Sequence, residues 1–293
     1  MSGYFSIMGG LDWVMDSVMQ NLPPCSKTVE VTCGRGELIW HNSKQEVEAM
    51  NDKDENLIRL HRVVAGMRDV DFNEMQRRFD FMLNEEEYDL KRKSNATDWD
   101  DLGFLYLYLY LAAGGKHGDE IFKDVFNPMM EGQSFASSLS RVKQCSFRIK
   151  DVVFENMDAT QVIDKYDDHD TFFFIDPPYP SRERYYRVHD LDWEELRRKL
   201  NNCLGKWMLV CDVTLSPRVG TAIRNKDKLK YIVDRHNSLI RLLSDHDHLI
   251  LQDDFKMGFS NLDFKDRKKL YALIANYDLK KKPKQMEIQL CSP

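Results

Sequence analysis

Residues Thr171 to Tyr179 read Thr-Phe-Phe-Phe-Ile-Asp-Pro-Pro-Tyr, an apolar run that stops at an acidic residue and two prolines. The run predicts a strand buried on both faces, and the prolines end it because they have no N–H to give to a sheet. Such a strand delivers Asp176, Pro177, Pro178 and Tyr179 to the carboxyl end of a sheet, the edge where open α/β folds bind ligands. There the Asp176 carboxylate and the Pro177 carbonyl can accept hydrogen bonds from a planar amine while Tyr179 stacks on its ring. A plainer reading stands beside this one: a proline turn that closes a strand, with Tyr179 buried beneath it.

Working outward, Thr28 to Thr32 (Thr-Val-Glu-Val-Thr) predicts a second strand, which runs into Cys33-Gly34-Arg35-Gly36. A helical stretch to Trp40 follows, then a strand at Val47 to Met50, Asn51-Asp52, and a helix over Glu55 to Val64. Strand, glycine turn, helix, strand and acidic residue make the opening of a nucleotide-binding βαβ unit. Gly34-x-Gly36 alone is a common turn without the third glycine of the dinucleotide fingerprint, so its weight comes from its place after a strand. Ahead of it, Leu11, Val14, Met15, Val18, Met19 and Leu22 fall at helical spacing between Gly9-Gly10 and Pro23-Pro24.

From about Gly66 to Gln144 the chain is charged, with apolar residues such as Phe72, Met75, Phe79 and Met82 at helical spacing. Ser94 to Asp98 has the composition of a capping loop, and Gly114 to Gly118 that of a flexible one. The run from Phe104 to Ala113 between them fits a strand or a buried helix equally. Alternation then returns, with strands expected at Asp151 to Phe154, Trp207 to Cys211 and Tyr271 to Tyr277, and a helix at Leu191 to Leu204. The expected fold is a doubly wound α/β domain formed by residues 1–65 and 145–293, carrying residues 66–144 as a helical insertion.

Composition narrows the function classes. The chain has 293 residues, of which 42% are hydrophobic and 31% charged, which permits a packed core and argues against wholesale disorder. No apolar run approaches the ~20 residues of a membrane helix, and the first residues lack the pattern of a signal peptide, so a soluble, cytoplasmic protein is expected. Six cysteines without a CxxC pair suit reduced thiols better than zinc or disulfides. With a net charge of -6, any nucleic-acid contact must use a local basic face.

At this point the chain resembles the Dam-type DNA adenine methyltransferases in the order glycine motif, insertion, Asp-Pro-Pro-Tyr. Thr28 to Gly36 is similar to that family's Tyr-Val-Glu-Pro-Phe-x-Gly-x-Gly, and Ile7 to Leu11 to its aromatic-x-Gly-Gly-Lys. Asn51-Asp52 with Leu57-Ile58, Asn156-Met157-Asp158 and Leu273 to Tyr277 match further family stretches. The resemblance implies a Rossmann-like S-adenosylmethionine-dependent methyltransferase sheet with a mainly helical target-recognition insertion. It implies Gly9, Gly10, Gly34, Gly36, Asp52, Asp158 and Asp176 around the cofactor: Asp52 on the ribose hydroxyls and Asp158 on the adenine amine. Asp176, Pro177, Pro178 and Tyr179 would hold a flipped adenine of DNA for direct methyl transfer, with no metal. A bacterial or phage-infected cell is the setting the family suggests.

Departures accompany the match: the family's Pro and Phe are Val31 and Thr32 here, and its aromatic and lysine are Ile7 and Leu11. They keep open a DNA-binding protein without catalysis, and the fold alone keeps open an enzyme for another nucleic-acid amine. Lys116, Arg141, Arg182, Arg184 and Arg187, the last three interleaved with Tyr185 and Tyr186, are the candidate nucleic-acid contacts, against an ordinary charged surface. Lys143, Arg148 and Lys150 read as a solvated edge, and Lys280 to Lys284 as a tail. Asp245-His246-Asp247-His248 carries metal-ligating residue types but reads as a polar surface turn, because nothing nearby completes a ligand set. Trp40 and Phe172 to Phe174 read as core.

Overall fold

The structure is a computed structural model that describes residues 11, 14–79, 100–103, 105, 131–179, 188, 190–212, 237–253 and 269–280. Its elements in chain order are α1 (Met15–Gln20), β1 (Lys27–Glu30), α2 (Glu37–His41), β2 (Val47–Asn51), α3 (Glu55–Gly66), α4 (Asp69–Phe79) and α5 (Glu131–Ile149). They continue with β3 (Val153–Glu155), α6 (Ala159–Tyr166), β4 (Thr171–Ile175), α7 (Trp193–Asn202), β5 (Lys206–Asp212), β6 (Asp247–Asp253) and β7 (Lys269–Ala275).

The strands form one seven-stranded sheet in the order β3-β2-β1-β4-β5-β7-β6. Pairings from β3 through β5 are parallel, and β7 runs antiparallel to both β5 and β6. The chain therefore builds outward from β1 to β3, then returns to lay β4 on the other side of β1. That reversal between β1 and β4 is the topological switch point, where the loops at the carboxyl ends diverge and open a crevice.

Burial explains why the aromatic run makes the centre of the sheet. All five residues of β4 are buried, flanked by β1 and β5, so an uninterrupted apolar sequence is what the position requires. One cluster joins Phe172 to Ile175 and Trp207 to Cys211 with Leu11, Val14 and Val18, with Val162 and Ile163 of α6, and with Trp193, Leu196 and Leu200 of α7. A second joins Met50 with Ile39 and Trp40 of α2, Ile58 and Val64 of α3, Met75 of α4, and Val142 and Cys145 of α5. Trp40 and Phe172 to Phe174 are thus core residues, as expected.

The described parts of 66–144 are mainly helical, and α5 continues without a break through residue 149 to pack against α3. Its last turn holds a buried connection to the sheet. Arg148 donates from both terminal guanidinium nitrogens to Glu48 of β2, each at 2.6 Å. Arg148 was expected at a solvated edge; it is instead the polar bolt between α5 and β2, and Glu48 beneath it is only 4% exposed. Lys143 pairs with Asp69 of α4 at 2.8 Å and lies over the Phe72 ring. Ser94 to Asp98, Gly114 to Gly118, nearly all of Phe104 to Ala113 and Lys281 to Lys284 fall outside the described residues.

The polar turn expected at Asp245 to His248 is corrected. Asp247 and His248 open β6, whose first residues pair with Ala275 and Ile274 of β7. An edge strand with one neighbour tolerates polar residues, which is why its sequence reads as a turn. His246 packs edge-on against Trp207 and bonds Asn201 at 2.7 Å. No group of three or more metal-ligating side chains occurs among the described residues. The described cysteines, Cys25, Cys33, Cys145, Cys203 and Cys211, are all free thiols.

Candidate active site

Three chain segments meet at the carboxyl edge of the sheet: the turn after β1, the end of β2 and the end of β4. The turn Cys33–Gly36 needs glycine twice, because Gly34 and Gly36 have φ of 49° and 82°. A Cβ on Gly36 would also lie 2.5 Å from Met50 Cε. Four neighbours pin the turn. Cys33 N–H donates to Asn51 O at 2.7 Å, Gly34 N–H to Asp52 Oδ2 at 3.0 Å, and Trp40 Nε1 to Arg35 O at 2.6 Å. His61 Nε2 reaches Gly34 O at 2.8 Å. A carbonyl only accepts, so Nε2 carries the proton; burial pushes the imidazole down to about 4, leaving the ring neutral.

Asn51 ties β2 to both neighbouring segments. Its amide donates to Val31 O at 2.8 Å and Met157 O at 3.1 Å, and accepts from Met157 N at 3.0 Å. Asp52 follows directly, accepting from Gly34 N–H on one oxygen and Asp54 N–H on the other. Burial pushes its carboxyl up to about 6 against backbone hydrogen bonds from Asp54, Gly34 and Lys53. A carboxylate has about four lone-pair sites, so Asp52 keeps acceptor capacity beyond these three bonds.

At the end of β4, Asp176 N–H donates to Thr32 Oγ1 at 3.0 Å, and the Tyr179 hydroxyl donates to Asp176 Oδ1 at 3.0 Å. Burial pushes the Asp176 carboxyl up to about 8; the Tyr179 hydroxyl pulls it down, Glu37 pushes it further up and the Arg35 guanidinium draws it back. An acidic group in this state is poised to receive a polar partner, since a donor or a nearby cation would restore its charge.

Several sequence expectations take specific form here. Gly34, Gly36, Asp52 and Asp176 converge on one edge through the bonds just described. Tyr179 is 1% exposed, packed edge-on against Tyr271 at 5.9 Å, so its ring has no face open to a base in this structure. Its contribution at the site is the hydroxyl on Asp176. Asp158 caps α6 in a capping box, accepting from Thr160 N–H at 3.1 Å and from Lys53 Nζ at 3.1 Å. Burial acts upward on it, but the bonds from Thr160 and Lys53 together hold the carboxyl below its ordinary value. Arg141 is exposed on α5. Gly9, Gly10, Lys116, Arg182, Arg184, Tyr185, Tyr186 and Arg187 lie outside the described residues.

Sequence reasoning missed Thr32 and Glu37 as members of the site. Thr32 stands where the resembled family has Phe, and its hydroxyl accepts the first N–H of the Asp-Pro-Pro-Tyr turn. Glu37 is 5% exposed; its Oε1 accepts from Leu11 N–H at 3.1 Å and from Arg35 Nε, with which it forms an ion pair. Its Oε2 is buried with no hydrogen-bond partner among the described residues. The one available signal was an acidic residue directly after the glycine turn. The open acceptors of Asp52 and Glu37 beside a positive-φ turn fit a cofactor that brings hydroxyl and ammonium donors.

Comparison with known proteins places the chain. A solved structure of the O-methyltransferase TomG from Streptomyces achromogenes, described as involved in tomaymycin synthesis and in complex with SAM, is 14% identical. The match covers 71% of this chain and 90% of that one, with a TM-score of 0.27. Comparison with curated protein sequences gave no match. The family model of the D12 class N6 adenine-specific DNA methyltransferases matches residues 14–242, which takes in the glycine turn, Asp52 and Asp176 to Tyr179. The chain belongs to this family and is an adenine-specific DNA methyltransferase that uses S-adenosylmethionine.

Proposed function

We propose that the enzyme methylates the 6-amino group of an adenine swung out of the DNA duplex and held at Asp176, Pro177, Pro178 and Tyr179. The observation that carries this reading is the placement of Asp176. It stands at the carboxyl end of β4, at the topological switch point, with its backbone fixed by Thr32 and its carboxyl by Tyr179. S-adenosylmethionine supplies, when bound, a methyl group on a positively charged sulfur, which a nitrogen lone pair displaces directly.

The residues' task is to make that lone pair available. In free adenine it is delocalised into the ring. Asp176 and the Pro177 carbonyl, accepting from the two amino protons, draw the nitrogen toward a pyramidal shape and stabilise the positive charge that grows on it. Asp176 need not remove a proton beforehand. Tyr179 acts first through its hydroxyl, which orients the carboxylate; stacking on the base would require its ring to be uncovered from Tyr271.

Gly34, Gly36 and Asp52 are proposed to hold the cofactor, with Gly9 and Gly10 beside them and Asp158 on its adenine amine. Residues 66–144 are proposed as the target-recognition insertion. Arg141 on the exposed side of α5, with Lys116, Arg182, Arg184, Tyr185, Tyr186 and Arg187, would meet the DNA, in the cytoplasm of a bacterial or phage-infected cell.

Base extrusion is tested with 2-aminopurine in place of the target adenine, in a duplex that the enzyme is first shown to methylate. Fluorescence should rise severalfold on binding, as the base leaves the stack. An unchanged signal at saturating protein would overturn the extruded-base arrangement. A second expected result concerns Asp52. Replacing it by Ala should weaken S-adenosylmethionine binding by about 10- to 100-fold in calorimetry, the loss of hydrogen bonds to a charged acceptor. DNA affinity by fluorescence anisotropy should change by less than about twofold in the same comparison. Equal losses would remove Asp52 from the ribose site.

A further inference from the structure

We propose that Glu37, held in place by Arg35, receives the α-ammonium group at the amino-acid end of the cofactor. This rests on the reading above that the Gly34–Gly36 turn borders the cofactor. The first observation is an unfilled acceptor. Glu37 is buried, and its two oxygens are used unequally: Oε1 takes the Leu11 N–H and the Arg35 Nε, while Oε2 has no partner among the described residues. Leaving a carboxylate oxygen buried without a donor is costly, and such groups mark places where a bound molecule completes the bonding.

Position and charge then select the donor. Glu37 directly follows the positive-φ turn, and both it and Arg35 act on the charge of Asp176 across the switch point. Glu30 is buried below them, accepting from Ile39 N–H at 2.6 Å. Glu30 feels the charge of both Glu37 and Asp176, Asp176 feels Glu37 with Arg35 as the opposing cation, and the local field favours a cation. S-adenosylmethionine offers two positive groups. Its sulfonium has no N–H or O–H to give, whereas its ammonium has three donors and forms charge-assisted bonds with a carboxylate. Of the two positive groups only the ammonium can satisfy Oε2, and the ribose hydroxyls and adenine amine are assigned above to Asp52 and Asp158. Arg35 is a positioning residue here, because its Nε keeps Oε1 occupied and leaves Oε2 for the ligand.

The test is a calorimetric titration of the full chain with S-adenosylhomocysteine and with the same molecule lacking its α-amino group, neither of which can be turned over. Wild type should prefer the amine-bearing ligand by about 10- to 100-fold, the range of one bond to a charged group. In Glu37→Gln the preference should shrink to within about threefold, with affinity for the deaminated ligand unchanged. A folded Glu37→Gln protein that keeps the full preference overturns the assignment. So does a wild type that binds both ligands equally, a result that needs no variant to fold. If neither ligand binds wild type, with or without duplex DNA, the cofactor reading of the turn fails and this assignment falls with it.

Discussion

Asp176→Asn should lower methyl transfer by about 10³-fold or more, the scale seen when a preorganised charge is removed from a polar transition state. The same substitution should make the folded protein more stable at alkaline pH. The Asp176 carboxyl is pushed up to about 8 by burial, whereas in the unfolded chain it titrates near ~4. Between those values the folded state holds a proton that the unfolded state has released. Stability from this group is therefore complete below about pH 4 and is lost as pH rises through about 8. Asn removes that dependence.

Melting of wild type and variant should thus differ little near pH 4 and diverge by up to about 1.4 kcal/mol per pH unit toward pH 8. Turnover at low substrate should rise over the same interval, since only the ionised carboxylate accepts from both the Tyr179 hydroxyl and an amine. A variant that is less stable than wild type at pH 8, or that still methylates at a tenth of the wild-type rate, would contradict the role given to Asp176.

How much of this was legible in the sequence depends on whether a residue's neighbours are local. The run Thr171 to Ile175 has five buried positions in a row, and its reading as a central strand needed nothing else. The order strand, glycine turn, helix, strand and acidic residue also placed Asp52 at the edge of the sheet beside Gly34. The Thr32 bond to Asp176 joins residues 144 apart, and no local pattern signals it. Tyr179 reads as a base-stacking ring from its motif, yet its ring is buried and packed edge-on against Tyr271, which arrives on β7 from the far end of the chain. Asp158 shows the opposite limit. Its Asp-x-x-Gln spacing is a capping box readable locally, whereas a ligand role at the same position follows from the motif resemblance alone. Strand β6 is hard to read from sequence because an edge strand with polar ends carries little periodic signal.

The largest loss of stability is expected at the far side of β2, away from the chemistry. Arg148→Leu should destabilise the fold by about 3–5 kcal/mol, because it strands the buried Glu48 carboxylate without its bidentate partner. The two 2.6 Å bonds are the reason for so large a figure, since an exposed pair would contribute at most about 1 kcal/mol. Removing both partners separates the cost of stranding a charge from the worth of the pair. Glu48→Leu combined with Arg148→Leu should recover most of the loss, because neither ion is then left to be desolvated alone. The lost bond also frees the last turn of α5 from β2, so denaturant unfolding of the single variant should begin with exposure of α5 and α3 while the β4–β5 core persists. Hydrogen exchange would show this as protection lost in residues 131–149 before it is lost in residues 171–175. A single variant within about 1 kcal/mol of wild type would mean that α5 is held by the Val142 and Cys145 contacts alone.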